Sequence, residues 1–149
     1  MDDRNNFTVV AGAQPFTGDN VRLHARLNFV HAVKPSWGLT AQIRTRYFRN
    51  TVPFEYDYFS PRWYAQILPV VQLRRFAGGW RYSVAAGWGA QRDSGSPWRS
   101  SRYAYAQVTS PARGRNTFFN AAFTYSNTPV GSGYVYSYGQ LTVGLTRVF

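Results

Sequence analysis

The sequence predicts an all-β fold: an antiparallel up-and-down transmembrane β-barrel, to which this chain supplies about eight strands. Apolar and polar residues alternate with a period of two in successive segments, as in strands with one apolar face. Aromatic residues make up 18% of the chain, which suits the interfacial girdles of a barrel. No segment approaches the roughly 18 uninterrupted apolar residues that a spanning helix needs. The 149 residues predict one domain, residues 1–149.

Turn residues separate eight alternating segments. They are Phe7–Ala13, Val21–Val33, Trp37–Arg49, Trp63–Arg74, Trp80–Gln91, Arg102–Thr109, Phe119–Ser126 and Tyr134–Phe149. In the third segment, Trp37 begins an apolar face that continues at every second residue. In the sixth, Ala104, Ala106 and Val108 are the expected apolar face, although Tyr103 and Tyr105 could reverse it. Pro69 falls inside the fourth segment, where it predicts a bulge or an interruption, because proline donates no ladder hydrogen bond.

The final segment suggests a bacterial outer membrane. One of its faces carries Leu141, Val143, Leu145 and Phe149, and the other carries polar or small residues. A long, half-apolar strand of this kind is unusual at the end of a soluble protein. In a closed barrel, the last strand pairs with another strand and its edge is hidden.

The predicted connections alternate in length, as in outer-membrane barrels. Residues 34–36, 77–79 and 110–115 form the shorter, periplasmic set, and residues 15–20, 50–61, 92–100 and 127–133 form the longer, extracellular set. All six acidic residues lie at the N-terminus or in these connections, and none is expected inside a strand.

Arginine dominates the polar strand faces. The net charge is +11, and only one of the seventeen basic residues is a lysine. Arginine on the lipid face near mid-membrane would cost about 2–4 kcal/mol, so a barrel must direct these side chains into its lumen. They would either contact an anionic or hydroxyl-rich solute or form an internal polar network. The lumen-facing candidates are Arg22, Arg26, Gln42, Arg44, Arg46, Gln66, Gln72, Arg74 and Arg81.

The residue pattern argues against catalysis, metal binding and nucleic-acid binding. Cysteine is absent, and the only histidines, His24 and His31, fall on opposite predicted faces. No Gly-x-Ser-x-Gly elbow occurs, so neither an enzyme nor a cofactor is expected. The arginines are scattered rather than clustered, which does not favour a nucleic-acid partner.

One segment carries a family resemblance. Residues 58–64, with Tyr58, Phe59, Ser60, Pro61 and Tyr64, form a Tyr-aromatic-Ser-Pro-x-x-aromatic sequence. A strand containing Leu-Pro, a Gly-Gly-Trp turn, a glycine-rich strand and a Ser-Pro loop follow. From about residue 47 to residue 149, the chain resembles the C-terminal outer-membrane barrel of bacterial cellulose synthase operon protein C and related tetratricopeptide-linked exopolysaccharide-export porins.

The resemblance implies a porin that exports a cellulose-like polymer. It also implies a periplasmic tetratricopeptide region or an inner-membrane synthase as partner, besides outer-membrane lipid, lipopolysaccharide and the barrel-assembly machinery. Such porins have about twice as many strands, and a closed eight-stranded barrel is filled by side chains. The chain is therefore expected to be the C-terminal half of a larger barrel or a small barrel that shares the motif. There are two alternatives. One is a non-conducting barrel with a structural, adhesive or receptor role, and the other is a soluble basic β-barrel that binds nucleic acid or sugars.

Overall fold

The computed structural model describes residues 4–16, 18–54, 58–112, 117–128 and 137–147, which form one antiparallel sheet. The eight strands lie side by side in chain order, each paired with its sequence neighbours. They are β1 (Asn5–Pro15), β2 (Val21–Lys34), β3 (Leu39–Asn50), β4 (Trp63–Ala77), β5 (Trp80–Asp93), β6 (Arg99–Thr109), β7 (Thr117–Ser126) and β8 (Tyr138–Arg147). The predicted all-β, up-and-down arrangement is confirmed.

The sheet is open. Pairing runs from β1 to β8, and within the described residues the two outer strands do not pair with each other. The expectation that the last strand hides its edge is therefore not met in this part of the chain. Leu141, Val143 and Leu145 lie on β8, where Leu145 is 75% exposed, and Phe149 lies outside the described residues. Among the described residues, no helix is long and apolar enough to cross a membrane.

The register gives the sheet two chemically different faces. Arg46 lies opposite Arg26 of β2 and Gln66 of β4, and Gln66 in turn lies opposite Gln91 of β5. Because directly opposed residues share a face, the polar positions of successive strands form one continuous polar face. The opposite face carries exposed apolar side chains such as Trp88, which is 73% exposed.

Ala104, Ala106 and Val108 form the apolar face of β6, as expected. Ala104 lies opposite Ala86 of β5 and Tyr125 of β7, which both belong to the apolar face. Tyr103 therefore points to the polar face, where it packs against a buried cluster of Leu68, Val70 and Ala85. The reversed assignment of β6 is excluded.

Two sequence predictions are wrong. Trp37 belongs to a 3-10 turn, Pro35–Trp37, and not to β3, because Pro35 starts the turn and Gly38 ends it in a left-handed conformation. Asp93 was expected in a loop, but it is the last residue of β5 and is buried. Its carboxylate accepts hydrogen bonds from Arg99 Nη2 at 2.6 Å and from the Gly95 amide at 2.9 Å, and these bonds compensate its burial.

Pro69 makes no bulge and β4 remains one strand, but the ladder between β4 and β5 is interrupted at Leu68 and Pro69, as one of the two expectations had it. Pro69 pairs with Ile43 on the β3 side, and on the β5 side the ladder runs to Ile67 and resumes at Val70 with the register unchanged. The opposing segment of β5 contains Gly89, and a Cβ added there would lie 2.0 Å from the Ile67 carbonyl oxygen. The two backbones therefore approach closely where proline offers no donor, and only glycine fits this approach.

The connections alternate between the two ends of the sheet. We call the end at which β1, β3, β5 and β7 finish the loop end, and the opposite one the turn end. At the turn end, residues 35–38 and 78–79 make tight connections, but residues 110–116 separate β6 from β7. This third connection is longer than the five residues, 94–98, that join β5 to β6 at the loop end. The expected contrast in length therefore holds for only part of the sheet.

Replacing Gly89 with alanine is expected to destabilise the fold by about 1–3 kcal/mol, as overpacking does elsewhere. The new methyl group would overlap the β4 backbone, which cannot move without disturbing the ladder. Gly139→Ala is the control, because nothing lies within 4 Å of its added Cβ. Urea unfolding of both variants measures the effect. Equal stability of the two variants would contradict the close approach of β4 and β5.

Candidate binding site on the polar face

All nine residues that the sequence predicted to face the lumen lie on the polar face of the sheet. A hydrogen-bonded chain joins three of them across β3 and β4. Gln42 Nε2 donates to Gln72 Oε1 at 2.7 Å, and Arg44 Nε and Nη2 donate to Gln42 Oε1 at 3.0 and 2.8 Å. The same chain reaches β5, where Gln72 Nε2 donates to Ser83 Oγ at 3.3 Å.

The polar face is concave, because side chains of non-adjacent strands meet across it. Gln66 Nε2 on β4 donates to Ser101 Oγ on β6 at 2.7 Å and to Thr128 Oγ1 beyond β7 at 3.0 Å. The guanidinium of Arg44 on β3 lies 5.0 Å from the ring centroid of Tyr103 on β6. In a flat sheet these strands would be separated by more than the reach of such contacts.

The nominated arginines do not form one site. Arg74 and Arg81 lie toward the turn end, where they line a cavity of about 330 Å³. Arg26 lies opposite Arg46 and is exposed. Arg22 lies near the loop end, where it lines one cavity together with Arg46 and with Tyr58 and Phe59 of the family-like motif.

That motif segment folds over the loop end of the polar face. Phe59 contacts Phe48 and Tyr64 edge-on, with ring centroids 6.0 and 5.7 Å apart, while Phe48 and Tyr64 stack at 5.0 Å. Pro61 accepts a hydrogen bond from Asn50 Nδ2 at 2.5 Å, and both residues are buried. The sequence Tyr-Phe-Ser-Pro therefore builds an aromatic cluster that fastens the β3–β4 connection to the sheet.

Arg22 is held by this cluster. Its Nε donates to Asn50 Oδ1 at 3.0 Å and its Nη2 donates to the Phe59 carbonyl at 2.6 Å. The guanidinium also lies over the rings of Phe16 and Phe48, 4.7 and 4.4 Å from their centroids. A guanidinium has five N–H donors, so these two bonds fix its orientation and leave others available.

A cavity of about 400 Å³ lies beside Arg22, and we call it the vestibule. Arg46 also lines it, and its Nε is buried without a hydrogen-bond partner in the structure. Tyr58 stacks on Phe16 with centroids 4.9 Å apart and accepts a hydrogen bond from Asn20 Nδ2 at 2.6 Å. The vestibule is lined by Phe16, Arg22, Arg46, Tyr58, Phe59, Ser126, Thr128 and Tyr138.

Sequence reasoning missed the parts of the vestibule that do not follow the alternation. Phe16 lies beyond β1, and Phe48 is an aromatic residue at a polar-face position of β3. A bulky apolar residue at a polar position was the available signal, since it requires packing from something outside the strand. Asn50, which orients Arg22, gave no such signal.

A larger cavity than the vestibule lies mainly on the other face. It has a volume of about 960 Å³ and a chiefly apolar lining that includes Phe29, Ile43, Val71 and Ala104. Polar side chains such as His31, Gln42 and Arg102 are a minority of its lining, whereas polar side chains make up most of the lining of the vestibule. The vestibule therefore has the more specific chemistry.

Metal ligands do not cluster in the part of the chain that the structure describes. His24 faces Gly12 and Phe48 on the polar face, whereas His31 faces Asn5 and Ala41 on the other, as their spacing predicted. No family model, curated protein or solved structure matches the chain.

Phe59→Ala is expected to destabilise the protein by about 2–3 kcal/mol, slightly below the range for fully buried phenylalanines, because Phe59 is half-buried. The loss removes two ring contacts from the cluster at the loop end. Phe54→Ala is the matched control, since Phe54 lies in the same connection and is 65% exposed. Denaturant unfolding followed by tyrosine and tryptophan fluorescence compares them; similar losses in both variants would contradict the role of the cluster.

Proposed function

We propose that this chain forms an outer-membrane β-barrel and belongs to a passive channel that exports exopolysaccharide. The observation that carries the proposal is the division of the sheet into two faces. Exposed apolar side chains such as Val9, Ile67 and Leu145 lie on one face, and the glutamines and most of the arginines of the described strands lie on the concave one. An apolar exterior and a polar interior are the arrangement that a transmembrane barrel requires.

The two outer strands support closure with further strands. β1 (Asn5–Pro15) contains no charged residue, and β8 (Tyr138–Arg147) contains only Arg147. Soluble proteins usually protect long edge strands with charges, prolines or bulges, because unpaired edges aggregate. Edges of this length with so little protection are suited to pairing inside a larger barrel.

The charge of the concave face supports a wide, hydrated lumen. Seven arginines lie there on the described strands, and Asp93 is the one carboxylate among them, already paired with Arg99 at 2.6 Å. A narrow eight-stranded barrel is filled by its side chains. Enclosing the other six arginines, which form no ion pair with a described carboxylate, would carry a large desolvation cost there, and water in a wider lumen would relieve it.

The polysaccharide part of the proposal rests on the resemblance of residues 58–64 to export porins and on the chemistry of the face. Glutamine, serine and tyrosine side chains can hydrogen-bond sugar hydroxyls, and aromatic rings can pack against pyranose rings. In this proposal the periplasmic tetratricopeptide region, or an inner-membrane synthase, feeds the polymer to the channel, and the chain performs no reaction itself.

A second candidate is a small, non-conducting barrel with a structural, adhesive or receptor role. The contacts of Gln66 with Ser101 and Thr128, and of Arg44 with Tyr103, favour it, because they span and partly fill the concave face. A barrel closed around such contacts would leave no passage for a polymer. Conductance separates the two candidates.

The first test is whether the 149-residue chain needs detergent to remain folded. An outer-membrane barrel is expected to fold only in detergent or lipid and to migrate differently on a denaturing gel before and after boiling. The reason is that its apolar face requires a hydrocarbon environment. A folded chain that stays monomeric and soluble in buffer would refute the membrane assignment and favour a soluble basic β-barrel.

Replacing Arg44 and Arg46 together with glutamate is expected to shift a conducting channel from anion toward cation preference, because the fixed charge of the lumen changes sign locally. Reversal potentials in planar bilayers under a salt gradient measure the shift. The double variant Arg49→Glu, Arg62→Glu has the same change in charge, but Arg49 lies on the apolar face and Arg62 in a connection. Unaltered selectivity of the first variant would remove Arg44 and Arg46 from the conducting path.

A further inference from the structure

We propose that the vestibule is a binding subsite for an anionic sugar unit, one that bears a carboxylate or an acidic ester substituent. This inference rests on the proposed export function and adds to it the charge class of the polymer. The vestibule, at the loop end of the polar face, combines two arginines with aromatic rings and hydroxyl groups in about 400 Å³. That volume suits one or two sugar units rather than a long segment of polymer.

Among the residues that the structure describes, no carboxylate pairs with the positive charge in the vestibule. The ion pair in the described part of the chain joins Arg99 to Asp93, and neither Arg22 nor Arg46 contacts a described carboxylate. Arg26 lies directly opposite Arg46 on β2 and adds a third positive charge to the same region. Like charges on opposed residues repel, so an anion bound here would relieve an unfavourable interaction.

Arg22 is also positioned in advance. Asn50 and the Phe59 carbonyl fix Arg22 through two hydrogen bonds, and Phe16 and Phe48 hold its guanidinium plane. The buried Nε of Arg46 has no partner in the structure. A rotamer held before binding loses little entropy on binding, and a guanidinium can bind both oxygens of a carboxylate.

The rest of the lining suits a sugar rather than a small inorganic anion. The stacked rings of Phe16 and Tyr58 offer an apolar surface beside the arginines, on which one face of a pyranose can pack. The hydroxyl oxygens of Ser126 and Thr128, 3.1 Å apart, also line the vestibule and can bond sugar hydroxyls. A neutral glucan would use the rings and hydroxyls but would leave the two guanidinium groups uncompensated.

The test is to titrate the detergent-folded chain with oligosaccharides of equal length and to measure their affinities by calorimetry. Oligogalacturonate is expected to bind at least about tenfold more tightly than cello-oligosaccharide, and added salt is expected to weaken its binding. Galacturonate monomer and inorganic phosphate are titrated in parallel, to distinguish a saccharide subsite from a site for any small anion. The measurement needs no conductance, so it is independent of the channel test.

Arg46→Gln is expected to reduce the affinity for oligogalacturonate about tenfold, and Arg46→Lys is expected to retain more of it, because the charge remains. Arg49→Gln, on the apolar face of the same strand, is the control and should bind like the wild type.

Equal affinity for charged and neutral oligosaccharides, or an unchanged affinity in Arg46→Gln, would overturn the inference. So would phosphate that binds as tightly as the oligosaccharide, since this would indicate an unspecific anion site. If the chain conducts but binds neither oligosaccharide, the inference fails while the proposed channel stands. If oligogalacturonate binds tightly without conductance, the subsite stands and the non-conducting barrel is favoured.

Discussion

The antiparallel register is the constraint on which the rest of this structure depends. A strand that slipped by one residue would move its arginines to the apolar face and its apolar residues to the concave face. The register is continuous from β1 to β8, apart from one shift between Ala32 and Lys34 beside the 3-10 turn. Gly89 supports this register beside Pro69, because it lets the backbone of β5 approach that of β4 closely. The two faces, the concave site and the exposed apolar surface all follow from this alignment.

The sequence predicted the strands and their faces because alternation is a local property of the chain. Whether Arg46 shares a face with Arg44 depends only on the two-residue period, and the structure agrees. The contact of Arg44 with Tyr103 depends on how strongly the sheet curls, which no single strand encodes. Asp93 shows the same limit: its place inside β5 depends on Arg99, which belongs to the next strand. Closure of the sheet likewise depends on partners that local patterns do not specify.

The family-like motif illustrates how one segment can serve structure and binding together. Phe59 and Tyr64 pack with Phe48, while the Phe59 carbonyl orients Arg22 toward the vestibule. The aromatic residues that stabilise the β3–β4 connection therefore also determine where the charge of Arg22 lies. A substitution in this segment could therefore weaken ligand binding even where the substituted side chain does not contact the ligand. Loss of binding alone would not show whether the substitution disturbed the packing of the β3–β4 connection or the orientation of Arg22.

The uncompensated charge of the concave face links ligand binding to stability. Arg26 opposes Arg46, and the buried Nε of Arg46 has no hydrogen-bond partner among the residues that the structure describes, so keeping these cations together lowers the stability of the fold. An anion that binds the folded sheet there and not the unfolded chain stabilises the fold in proportion to its affinity and concentration. Removing the charge of Arg46 should then weaken binding while leaving the unliganded fold equally or more stable. A purely structural arginine would show the opposite: substitution would destabilise the fold, and added anions would have no specific effect.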